Sequence, residues 1–84
     1  MSRKEKLIKR LLTRPKDFTF EELESLLSLL GYELRNKGKT SGSRVIFISD
    51  FHSPILLHKP HGRNNLLVSQ VNSIIKMLES EGLI

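Results

Sequence analysis

The sequence contains no cysteine, which excludes a disulfide framework, a thiolate metal site and a cysteine nucleophile. No apolar run approaches the ~18 residues that a membrane span needs, so no membrane association is expected. The opening stretch MSRKEKLIKRLL starts with charges and lacks both the uninterrupted apolar segment and the small-residue cleavage site of a secretory signal. The cytoplasm is therefore the expected location. Internal repeats, low-complexity tracts and long linkers are also missing. With 84 residues the chain can build one hydrophobic core and not two.

Charge of one sign is missing in turn from successive stretches. Residues 1–16 carry seven Lys or Arg against the single acid Glu5, whereas residues 17–32 carry Asp17, Glu21, Glu22 and Glu24 and no base. Residues 33–63 return to six bases against Glu33 and Asp50. A basic middle that coincides with strands and their loops is the footprint of a polyanion binder, or else a solvated surface that maintains solubility.

What is present reads as alternating periods. Leu7, Ile8, Leu11 and Leu12 recur at helical spacing over Lys4 to Thr13, and Pro15 stops that helix. Thr19 and Glu22 form a capping-box pattern before Phe20, Leu23, Leu26, Leu27 and Leu30, and Gly31 closes the second helix. The period then shifts to that of strands. YELRNKG alternates, SRVIFIS is β-branched and aromatic, ILLHK ends at Pro60 and Gly62, and the connections KGKTSG and DFHSP are short enough for an antiparallel meander. Val68, Val71, Ile74, Ile75 and Leu78 line a last helix ending at Gly82, with Asn64 or Asn65 as its expected cap. The order α-α-β-β-β-α predicts a two-layer α+β domain in which helices cover one face of a three-stranded antiparallel sheet. A boundary near Pro15 divides a basic N-terminal helical extension, residues 1–18, from a compact domain, residues 19–84.

Chemistry-bearing residues concentrate in the basic middle. His52, His58 and His61 lie within ten positions of one another, and imidazole can take a proton from a ribose 2′-hydroxyl and return one to a leaving 5′-oxygen. His61, between Pro60 and Gly62, is the candidate acid or base, with a locally bonded loop histidine as the alternative. His58, one residue inside the strand end, is a structural or phosphate-contacting candidate, and His52 is expected to be exposed in the DFHSP turn. A zinc site from His58, His61 and Asp50 or His52 has no supporting CxxC or HExxH spacing, and no metal or cofactor is expected. A serine hydrolase using Ser43 would need a nucleophile elbow between strand and helix, whereas SGSRV enters a strand. The Gly42-Ser43-Arg44 corner suits phosphate better. Glycine admits close backbone approach, serine donates, and guanidinium grips two oxygens at once. The alternative there is a plain hairpin turn followed by an exposed arginine.

From about Thr19 to Leu83 the residues GYELRNKGKTSGSRVIF, the apolar strand and PHGRNNL together resemble the HicA toxins of bacterial toxin–antitoxin modules. That resemblance implies a double-stranded-RNA-binding-domain-like fold, an endoribonuclease acting on mRNA, and a HicB-like antitoxin partner. It also implies a histidine, taken as catalytic, where this chain has Arg44. Arginine stays protonated at neutral pH, so Arg44 can stabilise charge but cannot act as a base. The proton work then passes to His61 or His58, with Arg44 on the pentavalent phosphorus and Gly42, Ser43, Lys37, Lys39, Lys59 and Arg63 as RNA contacts. Two other functions remain open on the residues alone. One is an RNA-binding module that lost its nuclease when histidine became Arg44, and the other is an interaction domain for an acidic partner.

Overall fold

The computed structural model describes residues 2–36, 44–59 and 64–84. Among them the elements run α1 (Arg3–Leu12), α2 (Phe20–Leu29), β1 (Glu33–Asn36), β2 (Arg44–Ile48), β3 (Ile55–His58) and α3 (Val68–Ser80). The strands form one antiparallel sheet in the order β1-β2-β3. This is the α+β order that the hydrophobic periods predict.

Ser2 caps α1 by accepting a hydrogen bond from the Glu5 amide, and the apolar stripe of α1 turns Leu11 fully into the core with Leu7 and Ile8 packed at its margin. Arg10, on the flank of that stripe, donates to both carboxylate oxygens of Glu22 and to Asp17, and its guanidinium lies 5.5 Å from the centre of the Phe18 ring. The helix ends at Leu12, with Thr13 as its C-cap, and the left-handed backbone of Arg14 (φ 52°) then turns the chain toward Pro15. Arg14 Nε also donates to Asn72 of α3 at 2.8 Å. The N-terminal helix is thus docked on both other helices, as its apolar stripe requires.

The capping box at α2 forms as its residues predict, with Thr19 Oγ1 accepting from the Glu22 amide and Glu22 accepting from the Thr19 amide. Gly31 (φ 94°) takes the left-handed conformation that ends the helix and lets the Tyr32 amide reach the Leu27 carbonyl at 2.8 Å. Glu22 therefore serves two partners. The Arg10 guanidinium, and then the Thr19 amide, hold its carboxyl below the usual glutamate range despite partial burial. A carboxyl depressed by folding stabilises the protein above its unfolded value, near 4.5, and that contribution is lost as pH falls through the lower folded value. Urea denaturation at a series of pH values should show stability falling across this acid window, and Glu22→Gln should flatten the fall. An unchanged slope in the variant would show that other carboxylates carry it.

The segment before α3 departs from expectation. Neither Asn64 nor Asn65 caps the helix, whose N-cap is Leu67. The Asn64 carbonyl accepts from the Phe20 amide at 2.9 Å, the Leu66 amide donates to the Phe18 carbonyl at 2.8 Å, and Asn65 bridges to Thr19. The backbone here is already engaged in a strand-like pairing with the entry to α2. The helix consequently starts later, where Gln70 Oε1 accepts from the Leu67 amide at 2.9 Å.

In the sheet, Val45 pairs with Leu57 and Phe47 with Ile55 and Leu34. These five face the helices, where Phe47 meets Phe20 with ring centres 6.2 Å apart. The outer face carries Arg35, Arg44, Ile46, Ile48, Leu56 and His58 by alternation. No described helix is long and apolar enough to cross a membrane.

Candidate functional site

The candidate residues within the described part of the chain meet at one end of the sheet. Arg44 opens β2, His58 closes β3, and the two are register partners on the last rung of the ladder. Both are exposed on the outer face, so their Cβ atoms are about 5 Å apart, as for any directly opposed pair. Alternation explains the placement. Val45 and Leu57 are driven into the core, which turns their neighbours Arg44 and His58 outward. Among the described residues no carboxylate pairs with Arg44.

The rung is held from below by a residue that the sequence pattern did not single out. Gln70, in the first turn of α3, donates from Nε2 to the His58 carbonyl at 2.9 Å while its Oε1 holds the Leu67 amide. One side chain thereby pins the end of β3 to the start of α3. The only trace of this in the sequence is a glutamine at the third helical position, a common capping residue. Lys59, the residue after β3, turns to the other side. Its ammonium lies 5.2 Å from the centre of the Phe20 ring, a cation–π contact on the helix-covered side. Gly42, Ser43, Lys37, Lys39, His61 and Arg63 lie outside the described residues.

His52 is not exposed, contrary to expectation, and it belongs to a structural clasp away from the rung. Its Nδ1 lies 3.1 Å from Glu81 Oε1, which also accepts from the Ser53 amide at 3.1 Å. A carboxylate only accepts, so the imidazole donates from Nδ1 here. Tyr32 stacks on the His52 ring, with centres 6.4 Å apart, and donates from its hydroxyl to the Ser53 carbonyl at 2.9 Å. The Ser53 amide and His52 hold the Glu81 carboxyl below its ordinary range, and burial beside Glu81 pushes the Tyr32 phenol up. The clasp fastens the β2–β3 turn to the end of α3. It leaves His58 as the one described histidine that is free to address a ligand beside Arg44. Among the described residues, no three His, Cys, Asp or Glu gather as a metal site.

A groove of about 780 Å³ runs from this rung along β3 and α3, between Leu56 and His58 on one side and Ser69, Gln70, Ser73 and Met77 on the other. Arg44 lines its end beside His58.

A family model described as the HicA toxin of bacterial toxin–antitoxin matches residues 20–79. The chain belongs to the HicA toxin family. The match opens on the first residue of α2 and closes just before the last residue of α3, so it contains the whole sheet, the Arg44–His58 rung and the groove. Helix α1 lies outside it, although Leu11 is part of the same core. No curated protein and no solved structure gives a significant match. HicA proteins are toxins of toxin–antitoxin pairs and are generally ribonucleases, which makes the exposed cation and imidazole on the last rung the natural place to look for phosphodiester chemistry.

Proposed function

We propose that this chain is a cytoplasmic toxin that cleaves mRNA endonucleolytically without a metal ion and is silenced by a HicB-like antitoxin. One observation supports it above the others: a fixed cation, Arg44, stands beside an exposed imidazole, His58, on the last rung at one end of the sheet. In the proposed reaction one imidazole removes the proton of a ribose 2′-hydroxyl, and the oxygen bonds to the adjacent phosphorus. The P–O5′ bond then breaks, and the departing 5′-oxygen takes a proton from an imidazolium. The products are a 2′,3′-cyclic phosphate and a 5′-hydroxyl. His61 is assigned the acid or base role and His58 the second proton transfer, while Arg44 stabilises the charge that accumulates on the pentavalent phosphorus. Gly42, Ser43, Lys37, Lys39 and Arg63 are assigned to flanking phosphates, whereas Lys59, expected from the sequence to join them, is held over the Phe20 ring on the helix-covered side.

Connectivity favours this assignment. Ser43 is bonded directly to Arg44, and His61 follows His58 by three residues, a tether that spans at most about 11 Å. The test is incubation of purified protein with mRNA in EDTA and analysis of the product ends. Cyclic phosphate termini are expected, with Arg44→Ala slowed by about 10²–10³, as for loss of one transition-state donor. Intact RNA at every time point would overturn the nuclease assignment.

A second reading draws on Arg44 itself, because the resemblance implies histidine at that position. An RNA-binding module without nuclease activity would show affinity falling with salt, at a log–log slope of about −0.7 per neutralised phosphate on single strands, and no product. Cleavage that emerges only in Arg44→His would favour that reading.

A further inference from the structure

Strand β3 is an edge of the sheet. In an antiparallel strand the N–H and C=O of one residue point the same way, and alternate residues face opposite edges. The His58 carbonyl points into the groove, where Gln70 meets it, so the backbone groups of His58 and Leu56 face away from β2. Strand alternation therefore turns the Leu56 amide, the Leu56 carbonyl and the His58 amide to the same open edge as the His58 carbonyl. The Leu56 side chain is 62% exposed, and neither a proline within the strand nor a bulge protects this edge. On the facing side of the groove, Ser69 and Ser73 sit one helical turn apart and leave room that larger side chains would fill. The groove lining holds Arg44 and His58 and no acidic residue.

We infer that this groove receives an extended acidic segment of the antitoxin, which adds a fourth strand along β3 and sets a carboxylate over Arg44. The inference rests on the proposed function for the identity of the partner, and it specifies how that partner acts. Three backbone groups turned to one open edge call for another extended backbone, which main-chain hydrogen bonds can hold whatever its sequence. The cationic end of the groove selects a chain with an acid at one end, and charge complementarity favours that chain over neutral or basic segments. Because the groove ends on the Arg44–His58 rung, the added strand and an RNA phosphate compete for the same guanidinium. Inhibition thus follows from binding, with no conformational change required.

The experiment uses the toxin with and without a HicB-like antitoxin, read by amide hydrogen exchange, affinity titration and RNA cleavage. In the complex, exchange at the Leu56 and His58 amides should slow. Ser73→Arg, which fills the groove from an exposed helix position, should weaken the antitoxin about tenfold or more while the free variant cleaves RNA as the wild type does. Leu56→Pro removes one of the edge donors and should weaken binding in the same sense, with thermal melting to establish that it folds. Unchanged exchange at both amides in the complex, full affinity of Ser73→Arg, or no binding of the antitoxin would each overturn the inference. Protection of those amides by RNA alone would assign the groove to substrate instead, and would overturn it too. Exchange and affinity in the antitoxin complex are read without RNA, so a protein that cuts nothing yet shows protection of both amides there refutes the nuclease and leaves the docked strand standing.

Discussion

His61→Ala should slow RNA cleavage in EDTA by about 10²–10⁴, the range typical for loss of a positioned acid or base. The expectation follows from what the rung at the end of the sheet can and cannot supply. Arg44 is a permanent cation and moves no proton, so any metal-free cleavage there needs at least one imidazole. His52 is committed to Glu81, which leaves His58 and His61. His58 is a strand residue whose backbone carbonyl is tied to Gln70, and it stands opposite Arg44. The second proton transfer requires another group, and His61 is the next histidine along the chain. Phosphate contacts are unaffected by the change, so RNA affinity and its salt dependence should match the wild type, and the loss should fall in the rate at saturating RNA. His58→Ala in the same assay tells whether one imidazole or two are used. Equal cutting by His61→Ala and wild type would remove His61 from the mechanism and leave His58 to act alone.

Phe18→Ala should destabilise the fold by about 3–5 kcal/mol, the usual loss for truncating a fully buried phenylalanine. A chain of this length is expected to be stable by only roughly 4–12 kcal/mol, so the variant should be marginal or unfolded at 37 °C. Phe18 is wholly inaccessible to solvent, and three separate parts of the chain meet on it. Its ring lies under the Arg10 guanidinium of α1, its residue leads directly into α2, and its carbonyl accepts from Leu66 ahead of α3. Elements anchored on all sides cannot collapse into the space that the ring vacates, which places the loss toward the upper part of the range. Phe18→Leu keeps most of the volume and should cost less than about 1.5 kcal/mol. Urea denaturation of the two variants measures both, and a loss below about 1 kcal/mol in Phe18→Ala would mean that α1 and its connection contribute little to the core. That result would matter for the family comparison, because α1 and Phe18 both lie outside the matched residues yet pack into the same core.

Several features were readable from residue types and spacing because they depend on neighbours in sequence. The Thr19–Glu22 box, the end of α2 at Gly31 and the stripe of Val71, Ile74, Ile75 and Leu78 are each local, and each appears where its pattern indicates. Asn64 and Asn65 illustrate the limit of such reasoning. Their cap propensity is real, yet their backbone is drawn into pairing with Thr19 and Phe20, more than forty positions earlier. His52 is similar. Nothing near the DFHSP turn announces Glu81, which reaches it only because α3 ends beside that turn.

Local interactions, set by hydrogen bonds and periods spanning a few residues, determined the elements of this protein and their order from the chain alone. The face on which the candidate site lies was settled only in three dimensions. RVIFI is apolar on both sides, so its own alternation cannot say which residues go inward. The pairing of Val45 and Phe47 with Leu57 and Ile55, under a layer of helices, chooses the buried set. Arg44 and His58 are left outside together because a strand shows alternate residues to opposite faces, and only the partner across the ladder can decide which face is water.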